Sequence, residues 1–109
     1  MFELRTYESP TDQDHKRKVE MFNSGEFDVF EKAGFWQIFY GDTVIGSRMP
    51  NLTYMLVYDN LAAREKNWAA FAADPQWLKL RATPGLSDAE IVSNISNTLL
   101  RPLPFSPIR

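Results

Sequence analysis

Phe2, Leu4 and Thr6 alternate with Glu3, Arg5 and Tyr7, and this period of two predicts a strand over Phe2–Glu8 with one apolar and one polar face. Ser9-Pro10-Thr11-Asp12 reads as a turn into a helix, with Thr11 as its cap and Asp14 three residues on. Val19 and Phe22 give that helix an apolar side, one turn beyond His15. Asn23-Ser24-Gly25 interrupts the spacing, Phe27, Phe30 and Ala33 resume it, and Gly34 is placed to end it.

A second strand is predicted over 35–40 and a third over 52–58, both apolar on two faces and so read as covered on both sides. Gly41, Gly46 and Pro50 mark the intervening 41–51 as a loop. Asp59 and Asn60 are caps for a second helix over Leu61–Ala73, whose inward stripe is Leu61, Glu65, Trp68, Phe71 and Ala72. Asp74-Pro75 stops it, because the residue before proline is kept out of the α region. A short turn follows around 77–80, and Thr83-Pro84-Gly85 breaks the chain. Ser87-Asp88-Ala89-Glu90 has the form of a capping box, but Ile91, Val92, Ile95 and Thr98 are β-branched, so 90–100 is read as the fourth strand. Pro102, Pro104 and Pro107 make the tail an extended arm.

The resulting β-α-β-β-α-β order is the ferredoxin-like arrangement, an α+β fold with helices on one face of an antiparallel sheet. Strands that are apolar on both faces need a second cover. A symmetric dimer with the sheets face to face supplies it, giving a dimeric α+β barrel whose interface exceeds about 1,600 Å².

Several stretches together resemble the NIPSNAP family. Glu3-Leu4-Arg5-Thr6-Tyr7 is similar to its opening strand, and Tyr58-Asp59 leading into Leu61-Ala62-Ala63-Arg64 to its middle. Asp74-Pro75-Gln76-Trp77 is similar to the turn after the second helix, and Arg101-Pro102-Leu103-Pro104-Phe105-Ser106-Pro107 to the C-terminal arm of some bacterial members. The resemblance covers nearly the whole chain, as a barrel domain over 1–101 and a Pro-rich arm over 102–109. It implies the dimeric α+β barrel fold, within a family that has no generally accepted biochemical activity. Relatives in the wider superfamily include cofactor-free monooxygenases, haem-degrading enzymes and cyclases, which bind planar or oxygenated molecules between sheet and helices. Eukaryotic members are linked to mitochondria and to trafficking or signalling contacts. Many members carry histidine in the third strand, where this chain has Tyr54, and tryptophan where Leu56 stands, a departure that weakens the carry-over of a histidine-based site.

A single domain of 109 residues with 44% hydrophobic content has enough apolar material for a packed core. The net charge of −2 leaves His15-Lys16-Arg17-Lys18 as the only basic run; it reads as a solvated helix face, and a nucleic-acid role is rejected. With no cysteine, disulfides, thiol catalysis and zinc–thiolate sites are excluded. No membrane-spanning run is present, and nothing at the N-terminus has the form of a signal. A cytoplasmic protein is the default expectation, a leader removed from the chain being the alternative.

The candidate chemistry begins with Glu3, Arg5 and Tyr7. With Phe2 and Leu4 packed on the helices, this trio looks into the barrel. Either Glu3 and Arg5 pair with each other or with a neighbouring strand, or Arg5 holds a ligand anion while Tyr7 orients it. Trp36, Tyr40 and Tyr54 are further candidates for a ligand pocket, and Tyr58 is another aromatic of the same kind. Three Trp, four Tyr and eight Phe can equally serve as core and interface anchors. Arg48 and Asn51, in the long loop, are candidates for the pocket mouth or for contact with a partner subunit. His15, beside three basic residues and near a helix N-terminus, reads as a surface side chain rather than a general base. No Ser/His/Asp triad, metal cluster or phosphate-binding loop is apparent, and neither cofactor nor metal is called for.

Two functions follow as expectations. The first is a small-molecule-binding homodimer, in its enzymatic form a cofactor-free monooxygenase-like protein. There Tyr7, Tyr40 and Tyr54 hydrogen-bond an oxygenated substrate and Arg5 stabilises an enolate or carboxylate. The second is a non-catalytic interaction module using the arm and an exposed helix face.

Overall fold

The computed structural model describes residues 1–108. Its elements are β1 (Phe2–Glu8), α1 (Asp12–Met21), α2 (Phe27–Lys32), β2 (Trp36–Asp42), β3 (Asn51–Val57), α3 (Leu61–Ala73), α4 (Pro75–Ala82), α5 (Asp88–Ile91) and β4 (Asn94–Leu100). The four strands form one antiparallel sheet in the order β2-β3-β1-β4. The mixed α+β, ferredoxin-like reading is thus the observed architecture.

Local chemistry explains most boundaries. The Thr11 hydroxyl accepts from the Asp14 N–H (3.1 Å) and Asn60 Oδ1 from the Ala63 N–H (2.8 Å), each satisfying an orphan donor of a first turn. A π-helical turn, Phe22–Glu26, joins α1 to α2. Gly25 lies under α4, where a Cβ would come 2.9 Å from Gln76 Nε2 and 3.0 Å from Leu80 Cδ1. Gly34 ends the segment with φ of 87°.

Several expectations are corrected. The stretch read as a short turn around Trp77 belongs to an eight-residue helix, α4, because Asp74 Oδ1 accepts from the N–H groups of Gln76 (2.8 Å) and Trp77 (3.3 Å) and Pro75 fits the first helical position. The fourth strand starts at Asn94 rather than Glu90, because Ser87 opens α5, its hydroxyl 2.8 Å from Glu90 Oε1. β2 runs on through Asp42, which shortens the loop predicted over 41–51. On α3 the inward residues are Arg64, Trp68 and Phe71, while Leu61, Glu65 and Ala72 face outward.

The faces of β1 are also reversed. Tyr7, Leu52, Tyr54 and Leu56 form the sheet side of the hydrophobic core, packed on Phe22, Phe30 and Phe71 of the helical layer. Register places Glu3 opposite Leu56, Arg5 opposite Tyr54 and Tyr7 opposite Leu52, so the polar trio points at the helices. Phe2, Leu4 and Thr6 lie on the opposite, open face, where Thr6 and Thr53 hydroxyls meet at 3.1 Å. That face carries the exposed Phe39 and Leu100, with Trp36 65% exposed. At one end Ile108 of the arm lines a cavity together with Phe2, Trp36 and Val57; at the other, Arg48 Nη1 donates to Ser96 Oγ (2.8 Å).

Candidate functional site

Strand β1 feeds three polar side chains into the layer between sheet and helices, where each must find partners or destabilise the fold. Glu3 is fully buried and lies at the centre. Its Oε2 accepts from Arg64 Nη2 (2.8 Å), Arg5 Nη1 (3.0 Å) and Asn97 Nδ2 (3.1 Å). Its Oε1 accepts from Tyr58 OH (2.8 Å), Arg64 Nε (3.1 Å) and Trp68 Nε1 (3.4 Å). Burial by itself would raise this carboxyl, but the bonds from Arg64, Asn97 and Tyr58 and the charge of Arg5 outweigh it and hold it down at about 2.

Arg5 continues the network. Its Nε donates to Tyr54 OH (3.0 Å) and its Nη2 to Tyr7 OH (3.3 Å), while its guanidinium lies 4.5 Å from the centre of the Trp68 ring. Tyr54 OH donates to Tyr7 OH at 2.7 Å. Burial raises both phenols, so they remain protonated at neutral pH and act as hydrogen-bond groups rather than phenolates. Tyr40 stacks on Tyr54 with centroids 5.0 Å apart, and its hydroxyl bonds Gln37.

Beside Tyr40 a groove of about 320 Å³ opens between α1 with its π-helical turn and β2–β3. Val19, Phe22, Phe27 and Leu52 wall it, Tyr40 is its inner surface, and Asn23 and Glu20 are its polar groups. Tyr40, and behind it Tyr54, Tyr7 and Arg5, are linked to one another by stacking and hydrogen bonds, with Tyr54 and Tyr7 buried from the groove.

Of the residues singled out in the sequence, the fold brings Arg5, Tyr7, Tyr40 and Tyr54 together. It places Trp36 on the other side of the sheet. Arg48 and Asn51 are also away from the groove. Asn51 Nδ2 donates to the Ser47 and Arg48 carbonyls (3.2 and 3.1 Å) and its Oδ1 accepts from Thr43 (2.7 Å), which pins the loop over 43–50.

A second buried group was not foreseen. Lys18, in the run read as solvated, is 1% exposed: its Nζ donates to Glu26 Oε1 (3.0 Å) and Asp88 Oδ1 (3.1 Å) and faces the rings of Tyr7, Phe22 and Trp77 at 5.1–5.7 Å. Lys16 and Arg17 are exposed as expected. The helical spacing Lys18–Phe22, beside Met21, was the available sign that Lys18 turns inward. Arg64 was likewise legible one turn before Trp68. Asn97 reaches Glu3 only through the β1–β4 register, which local sequence does not encode. His15 is half-buried at the edge of a surface depression, with Nε2 2.8 Å from Asp42 Oδ1.

Among the described residues no helix is long and apolar enough to cross a membrane, and no group of three or more His, Asp or Glu side chains is placed to hold a metal ion. No curated protein matches the chain in sequence. Solved structures do match in fold. A NIPSNAP family protein of Agrobacterium tumefaciens superposes with a TM-score of 0.85 at 22% identity, over 99% of this chain and 97% of that one. An uncharacterized NIPSNAP-like domain protein of Burkholderia xenovorans gives 0.81 at 21% identity, over 97% and 87%. An antibiotic biosynthesis monooxygenase shares the fold at a TM-score of 0.59 and 10% identity, over 95% and 100%. The sequence model of the NIPSNAP family matches residues 2–107, nearly the whole length, and the chain therefore belongs to the NIPSNAP family.

Proposed function

We propose that the protein is a homodimer that binds a small molecule in the groove beside Tyr40. The observation that carries this reading is the groove itself, apolar on most sides and backed by the hydrogen-bonded Tyr54–Tyr7–Arg5 array. Apolar walls with a few convergent polar groups are the usual make-up of a ligand site. A ligand lying against Phe22 and Tyr40 reaches the Asn23 amide and the Tyr40 hydroxyl. In the enzymatic form of the reading, a cofactor-free monooxygenase-like reaction, protonated tyrosines hydrogen-bond an oxygenated substrate. Arg5 then acts through the Tyr7 and Tyr54 hydroxyls, since its charge already faces Glu3. The fold shared with an antibiotic biosynthesis monooxygenase supports the architecture such a reaction uses.

The dimer reading rests on the open sheet face. Leu4, Thr6, Phe39, Met55, Thr98 and Leu100 present no charge there, as suits the desolvated centre of an obligate interface. Fluorescence titration with 1-naphthol, a flat neutral probe, tests the groove. Val19→Trp, which fills it, should abolish binding while the fold is kept; undiminished binding by that variant would refute the assignment.

The second reading, an interaction module, is favoured by the exposed apolar side chains of the arm, with Phe105 82% exposed, and by Ile45, 94% exposed in the pinned loop. Deleting 101–109 separates the roles. Loss of the dimer assigns the arm to the partner copy, and an intact dimer leaves it to other proteins.

A further inference from the structure

One ammonium group, that of Lys18, serves two carboxylates of unequal burial. Glu26, on the π-helical turn, is fully buried; Asp88, on α5, is 41% exposed. The backbone bonds of the α5 segment are mostly its own. Leu86 N–H donates to Thr83 O (3.1 Å), Ile91 N–H to Ser87 O (3.1 Å) and Val92 N–H to Asp88 O (2.9 Å). Four tethers to the rest of the molecule stand out: the Lys18–Asp88 pair, the buried Ile91 side chain, Val92 packed on the hydrophobic core, and the Ser93 N–H on Glu8 O (2.7 Å). A cavity of about 310 Å³ lies between this segment and α4, lined by Trp77, Arg81, Ser87, Asp88 and Ala89.

We infer that the α5 segment is a flap over the Lys18 site, latched by the Lys18–Asp88 pair and released when Glu26 ionises and competes for the same ammonium. This device is independent of the ligand reading above.

Electrostatics supports the direction. Burial pushes the Glu26 carboxyl up to about 7, against the pull of Lys18 and with the help of the negative Asp88. The other groups that act on Glu26 or share its surroundings are Arg5 and Tyr7 of β1, Tyr54 of β3 and Tyr40 of β2; Arg81 of α4 shares the cavity with Asp88. Below neutrality Glu26 is uncharged and merely accepts from Lys18, so the full ammonium charge serves Asp88. Above neutrality two carboxylates face one ammonium, repel each other, and the exposed partner on the small helix is the one free to leave. Opening uncovers Lys18 and the Trp77 ring.

The test is amide hydrogen exchange of the whole protein at pH 6 and pH 8, corrected for intrinsic rates, reading Ile91 and Val92 against Phe71 of α3. Protection of Ile91 and Val92 should fall about tenfold, one unit of differential proton affinity, while Phe71 holds. In Glu26→Gln that drop should vanish with protection kept high. Asp88→Asn, a half-exposed site that tolerates change, should show low protection at both pH values. Equal protection of the wild type at the two pH values, a parallel fall at Phe71, or an undiminished pH step in Asp88→Asn would each overturn the flap.

Discussion

Glu3 and Arg64, 61 residues apart in sequence, meet through two hydrogen bonds of 2.8 and 3.1 Å between a strand and a helix. The pair closes a network that also holds Arg5, Tyr58, Trp68 and Asn97, so Glu3 joins β1, α3 and β4. Removing the negative member alone leaves two guanidinium groups facing each other in a poorly hydrated layer. Glu3→Gln is expected to destabilise the fold by about 3–5 kcal/mol, read as a lowered urea midpoint at unchanged slope.

The same carboxylate sets an acid limit. Its folded value, about 2, lies below the ordinary 4.5, so the unfolded chain binds the proton more readily. Glu3 therefore contributes stability that is fully present above about pH 4.5 and is lost as pH falls toward 2, on the order of 3 kcal/mol. Urea titrations between pH 5 and 2.5 should show the decline, and Glu3→Gln should flatten it. An equally steep decline in the variant would assign acid sensitivity elsewhere.

Gly25 meets the ends of two α4 side chains, Gln76 and Leu80. Gly25→Ala must shift the Gln76 amide and a Leu80 methyl, the ends of two flexible side chains, and is expected to lose about 0.5–1.5 kcal/mol. Thermal unfolding would register this as a lowered Tm, and an unchanged Tm would mean that α4 shifts freely.

The open face offers a test of assembly. Met55 lies there opposite Leu4 and Phe39. In the proposed homodimer, a charge buried at the centre of a self-complementary face is repeated across the two-fold axis. Met55→Lys should therefore yield a folded monomer by light scattering with unchanged far-UV circular dichroism. A variant that remains dimeric would move the interface to another surface.

Much of the fold was written locally. Asn60 and Ala73 bound α3 as its spacing predicts, and Thr11 and Gly34 bracket the first helical segment. Residue type alone misled for β1, where polar side chains were assigned to the side away from the helices. Glu3 can face inward because Arg5, Arg64 and Tyr58 converge on it, and two of those partners come from distant segments. The candidate site shows the same division. Tyr7, Tyr40 and Tyr54 were visible as aromatic strand residues, but the groove depends on Val19 and Phe22 of α1 and its π-helical turn meeting β2–β3. Lys18 was hidden by its basic neighbours Lys16 and Arg17, whose side chains stay exposed.

The buried acid also bears on what the chain avoids. Strand side chains alternate, so sliding β1 by one residue against β3 or β4 would turn Glu3 to the open face. Arg64 would then be stranded without its carboxylate, and Leu4 would enter the space shaped for an ion cluster. Each wrong pairing thus carries its own penalty, and one glutamate proofreads the register of its strand against the two beside it.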